Sequence, residues 1–167
     1  MGTATNGRFT ETLTQATFVE ALLPDLTDQK AIDRDLYLRG KVPSRAGADQ
    51  LRKQIFRNMF IEERDLEIAD VVFNYFEAVR QRWPEAWNQG GGGWMLNKTN
   101  GFKALMRLLR PVYLRLVSPG DVPDVEKFAK LFARSKLSDD DFTVDRFKPG
   151  TSGETALYAT LKDELNV

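Results

Sequence analysis

The feature that most limits what this chain can fold into is a long run of helical periodicity between about Glu63 and Trp83. Leu66, Ala69, Val72, Phe73, Phe76, Val79 and Trp83 follow a 3.6-residue spacing closely. Glu62, Glu63, Asp65 and Glu67 crowd its start, and Arg80 and Arg82 sit near its end, an arrangement that complements the helix dipole. Pro84 closes it. No run in the 167 residues alternates long enough to make a sheet of several strands. An amphipathic helix without a sheet must bury its apolar face against other helices.

Those helices are legible with varying clarity. A capping-box pattern at Thr17-Phe-Val-Glu20 starts a short helix that stops near Pro24. Asp33 to Arg39 reads as a helical turn or a short strand, and Gly40, Pro43 and Gly47 mark a loop over 39–47. Asp49 caps a helix to about Phe60, with Leu51, Ile55, Phe56 and Met59 on one face. Residues 88–94, with Gly90 to Gly93, form a flexible loop. A helix from about Gly101 to Val117 carries Leu105, Leu108, Leu109, Val112 and Leu116, and Pro111 predicts a kink or break near Arg110. Pro123 at a first helical position opens a helix to Lys136, with Val125, Phe128, Ala129 and Phe132 inward. Pro149 to Glu154 leads into a last helix burying Ala156, Leu157 and Leu161. The fold class is therefore mainly α: a disordered tail over 1–8, then one domain over 9–167 of five to six helices, orthogonal or bundle-like. At most one small hairpin, from 8–14 and 34–42, accompanies them. A chain of this size buries about 68–70% of its unfolded surface, enough for a core.

Composition matters mainly through what it omits. With no Cys there is no disulfide, thiolate metal site or Cys nucleophile, and with no His there is no imidazole base or HExxH zinc site. Carboxylates, Lys, Tyr or carboxylate-held Mg²⁺ are all that remain for catalysis. Asp139, Asp140 and Asp141 lack EF-hand spacing and read as a solvated loop. Trp83, Trp87 and Trp94 cluster around one helix end and read as packing, with base stacking the competing role. Tyr75 reads as core, its hydroxyl reaching a partner. No metal and no cofactor is expected.

Two segments suggest an anion site. The zero net charge averages −1 over 1–50, +4 over 51–117 and −3 over 118–167. Between Glu85 and Asp121 no acid occurs, and Lys98, Lys103, Arg107, Arg110 and Arg115 lie in that gap. Lys103, Arg107 and Arg110 share a helix face, which reads either as a phosphate-binding surface or as a face paired with acids from neighbouring elements. Gly150, Thr151, Ser152 and Gly153 form a Gly-rich approach to a helix. It is a possible phosphate loop, or a capping loop with Thr151 or Ser152 as the cap; no Gly-Lys-Ser/Thr follows, so it is not a Walker A motif.

The segment Ile68 to Trp87, with its Asn-Tyr-Phe and Pro-Glu-Ala-Trp elements, and the segment Leu96 to Leu109, with Thr-Asn-Gly-Phe-Lys-Ala-Leu, resemble the C-terminal helical region of DGQHR-domain proteins. That family includes the DndB proteins associated with DNA phosphorothioate modification. Gly150-Thr-Ser-Gly153 fits a late element of the same pattern. The clear match spans about 66–110, and the naming Asp-Gly-Gln-His-Arg motif is missing. The resemblance implies a non-catalytic helical module in DNA modification, its regulation or phage defence, with DNA, a DGQHR-domain protein or a second copy of the chain as partner. It transfers no catalytic residue. A purely structural or oligomerisation role is the alternative. With no signal peptide pattern and no apolar run of membrane-spanning length, the expectation is a cytoplasmic protein without a membrane partner.

Overall fold

The computed structural model describes residues 14–88 and 93–167. Among them are α1 (Gln15–Leu26), α2 (Lys30–Leu38), α3 (Ala48–Leu51), α4 (Arg57–Ile61), α5 (Asp65–Arg82), α6 (Pro84–Asn88), α7 (Thr99–Leu116), α8 (Val125–Phe132) and α9 (Thr151–Leu165). A 3-10 turn (Asp139–Asp141) lies between α8 and α9. The described residues form no strand, only an isolated antiparallel bridge between Trp94 and Thr143. The chain is mainly α, with more helices than the five to six expected. The additional ones are short, and a helix of four or five residues leaves no readable period. The 1–8 tail, residues 8–13 of the expected hairpin and Gly90 to Gly92 lie outside the described residues. The hairpin's other half does not form, because residues 34–38 belong to α2.

Several boundaries move for identifiable reasons. Thr14, not Thr17, caps α1: its hydroxyl accepts from Thr17 N at 3.1 Å, and the helix runs through Pro24 to Leu26. The expected helix over 49–60 splits into α3 and α4, since Phe56 N bonds to Asp25 O of α1 at 3.0 Å instead of continuing a helical ladder. α7 is unbroken through Pro111, its amphipathic face held by core on both sides. Asp124, not Pro123, precedes α8, accepting from Lys127 N at 2.8 Å. Gly150 occupies the cap position of α9 without a side-chain bond, so Thr151 and Ser152 lie inside the first turn and do not cap it. Ala156 is exposed.

α5 keeps its length, but its buried face is rotated from the expected stripe, sharing Val72, Val79 and the following Trp83 with it. Ile68, Val71, Val72, Tyr75, Ala78 and Val79 are buried, while Leu66, Ala69 and Phe73 point away from the core. The stripe read from the sequence straddles the boundary: Val72, Val79 and Trp83 are buried and Phe76 packs on the core, while Leu66, Ala69 and Phe73 are exposed along its outer edge.

One core joins the elements. α5 packs chiefly on α8 and α7 on α9, with α1 also against α7. Tyr75 joins the two pairs: its ring meets Phe128 and Phe132 edge-on, and its hydroxyl donates to Leu105 O at 2.8 Å. Trp83 is fully buried and donates from Nε1 to Leu137 O at 2.9 Å. Each such apolar side chain contributes about 1.5–3 kcal/mol by leaving water. Gly101 and Gly153 allow α7 and α9 to start pressed against chain. A Cβ on Gly101 would lie 2.2 Å from Met95 O, and one on Gly153 1.7 Å from Lys148 O.

Candidate interaction faces

The basic segment of α7 does not form a free cationic stripe. α1 and α9 flank it, and each sends a carboxylate to it. Arg110 Nε donates to Asp25 Oδ1 at 2.6 Å. Arg107 Nη1 donates to Glu154 Oε1 at 3.1 Å, and its guanidinium lies over the Tyr158 ring at 4.5 Å from the centroid. Lys103 and Arg107 line a groove of about 280 Å³ between α1, α7 and the start of α9, whose walls also include Glu20, Ala21, Pro24 and Glu154. Two carboxylates thus face the two cations there. Lys98, at the cap position of α7, and the exposed Arg115 join Lys103 as cations without an ion pair among the described residues. Arg115 lies on a different face from Lys103, Arg107 and Arg110, being five residues beyond the last of them.

Gly150 to Gly153 is shaped by packing. Gly150 has φ 101°, a left-handed conformation natural to glycine, and Gly153 admits the Lys148 carbonyl against the first turn of α9. Thr151 and Ser152 are exposed.

Other charged candidates serve as local structure. Asp139 Oδ1 accepts from Ala86 N at 2.8 Å, and Asp141 completes a capping box with Ser138 and pairs with Arg146. Among the described residues no group of three or more acidic or other metal-ligating side chains could hold an ion. Trp87 stacks near Phe76 at 5.6 Å and is half-buried, as is Trp94.

Two carboxylates with no sequence signal prove to be buried. Asp25, 2% exposed, sits in the last turn of α1, where burial pushes its carboxyl up to about 6 despite the opposing pull of Arg110. Asp33 is held below the usual carboxylate range by its hydrogen bonds from Arg57, against an opposing effect of burial. Arg57 makes a two-pronged contact with Asp33, including a 3.1 Å bond from Nη2 to Oδ1, and also donates to Ser44 O at 3.2 Å and Leu26 O at 3.5 Å. Thr27 Oγ1 donates to Asp33 Oδ2 at 2.6 Å. This knot fastens the 39–47 loop to α2 and α4, helped by Asn58, which bonds both the N–H and the carbonyl of Ala46.

Some large apolar side chains are also left exposed. Leu66 and Phe73, one heptad apart on α5, are 83% and 67% exposed. Ala69 lies between them, also exposed. Ile32, Leu38 and Val42 are also exposed, and Tyr37 is edge-on to Phe60 at 6.0 Å. The α5 face was present in the sequence as part of its apolar stripe; that Leu66, Ala69 and Phe73 would lie outside while Val72, Val79 and Trp83 lie inside was not. No helix among the described residues is long and apolar enough to cross a membrane. No protein-family model matches the chain, and no curated protein and no solved structure shows significant similarity to it.

Proposed function

We propose that this chain is a non-catalytic helical module that docks a partner protein through the outward face of α5. The observation that supports it is the exposure of Leu66 and Phe73, one heptad apart on the 18-residue helix α5. Large apolar side chains aligned along one helix face mark interaction surfaces more than scattered ones do. The resemblance to the C-terminal region of DGQHR-domain proteins supports a partner within a DNA-modification, regulation or defence system, and a cytoplasmic setting. The test is calorimetry of the purified chain with the DGQHR-domain protein encoded nearest to it. Binding that is lost in Leu66→Ser/Phe73→Ser is the expected result, and binding indifferent to these changes removes the α5 face from the reading.

A second reading is anion or DNA binding, favoured by Lys98, Lys103 and Arg115 having no ion pair among the described residues. Arg107 and Arg110 would contribute only by leaving Glu154 and Asp25. Contact with phosphates alone gives an affinity that falls steeply with salt, by about 0.9 log units per log unit of salt for each phosphate neutralised. Titration of duplex DNA at low and moderate salt checks it, and no binding at low salt removes it.

A further inference from the structure

We infer that the α5 face accepts a basic amphipathic helix rather than a second copy of this chain. This rests on the docking reading above and names the partner's chemistry. Taking Leu66 and Phe73 as successive a positions of a heptad, Ala69 is the intervening d position, and Asp70 and Glu77 are successive e positions. Leu66 and Phe73 stand about 10 Å apart along the axis at 1.5 Å per residue, with a carboxylate beside each two-turn repeat. The other flank, the g positions Val72 and Val79, is buried in the core, so only the acidic flank can border a partner. Asp70 has no ion pair among the described residues, and Asp65 at the start of the helix has none either. Glu77 binds Arg80 along its own helix, Arg80 Nε to Glu77 Oε2 at 2.8 Å, and Arg80 is the face's one cation among α5 residues 65–80.

These positions discriminate between occupants. An antiparallel second copy sets e against e, which brings Asp70 and Glu77 against the same two carboxylates. A parallel copy needs the g flank, which the core occupies. Like charges at that spacing repel, and the one cation a second copy carries on this face, Arg80, is already held by Glu77 of its own helix. A helix presenting apolar side chains at heptad spacing with Lys or Arg alongside meets both the stripe and the carboxylates. Two turns of exposed apolar surface make a small contact, so the complex is of the weak, exchanging kind.

The experiment titrates the full chain with a labelled three-heptad peptide, Leu at a and d and Lys at the flanking positions, and with its counterpart carrying Glu for Lys, by fluorescence anisotropy. The Lys peptide binds and the Glu peptide does not. Phe73→Ser and Asp70→Lys each weaken the Lys peptide about tenfold or more, while circular dichroism stays unchanged. Ala69→Glu, at the centre of the exposed face, provides a second steric block with the same outcome. Equal binding of both peptides, or Lys-peptide binding indifferent to Phe73→Ser and Ala69→Glu, overturns the inference. Light scattering across a concentration series separates it from the docking reading itself: a dimer abolished by Phe73→Ser keeps α5 as a docking face and overturns the basic partner.

Discussion

Asp25 is a carboxylate placed where a helix end and an apolar environment both disfavour charge. Its folded pKa of about 6 lies above the ordinary carboxylate value, so the folded state binds its proton more tightly than the unfolded chain does. Its effect on stability is therefore neutral below about pH 4 and increasingly unfavourable as pH rises to 6, reaching about 3 kcal/mol for two pKa units. Asp25→Asn abolishes this slope while leaving an oxygen for Arg110. Urea midpoints of parent and variant at pH 4 and pH 7 should diverge in the variant's favour by about 2–3 kcal/mol; parallel curves would refute the assignment. At the same scale, Gly101 and Gly153 are selected by crowding. Alanine improves helix propensity by about 1 kcal/mol at an open site. Here its Cβ meets the Met95 or Lys148 carbonyl at 2.2 or 1.7 Å, and the backbone must shift. Gly153→Ala should lower stability by about 1–3 kcal/mol in thermal unfolding, as overpacking does.

Among elements, the short helices α2, α3 and α4 are fixed less by their own periodicity than by the Arg57–Asp33 knot. Both side chains are about a tenth exposed, and Arg57 also holds Ser44 O and Leu26 O. Removing one partner leaves a buried charge, and such breaks cost about 3–5 kcal/mol. Asp33 has the opposite sign to Asp25: its pKa is lowered on folding, so its contribution is present above the unfolded value near 4 and lost as pH falls through the folded one. Asp33→Asn should therefore be strongly destabilising at pH 7 and much less so at pH 3, read from denaturant midpoints. Hydrogen exchange should locate the loss in residues 26–58. A uniform loss across α5 and α7 would show that the knot is not local. α5 illustrates the limit of periodicity at this scale. Its length and ends were legible, because dipole-matching charges and Pro84 mark them. Its phase was not, because Ile68, Val71 and Tyr75 widen the apolar face on one side, and their burial depends on α8 being there to receive them.

At the level of the molecule, the core and the candidate faces separate cleanly. Phe73 is outside the core, so Phe73→Ser should change unfolding free energy by no more than about 0.5 kcal/mol, measured in urea, while disrupting docking. A larger loss would mean that the face belongs to the fold. The basic segment shows the reverse relation. Lys103, Arg107 and Arg110 were legible as a cluster, but Glu154 and Asp25 come from 47 and 85 residues away, and no local pattern announces them. By itself, the sequence determined helix formation, the absence of thiol and imidazole chemistry, and the amphipathic character of α5 and α7, since these follow from residue types and spacings within a few turns. Only the tertiary structure decided which face of α5 is buried, which cations are neutralised and which carboxylates leave water. Those outcomes depend on contacts between elements remote in the chain, where packing and desolvation outweigh local preference.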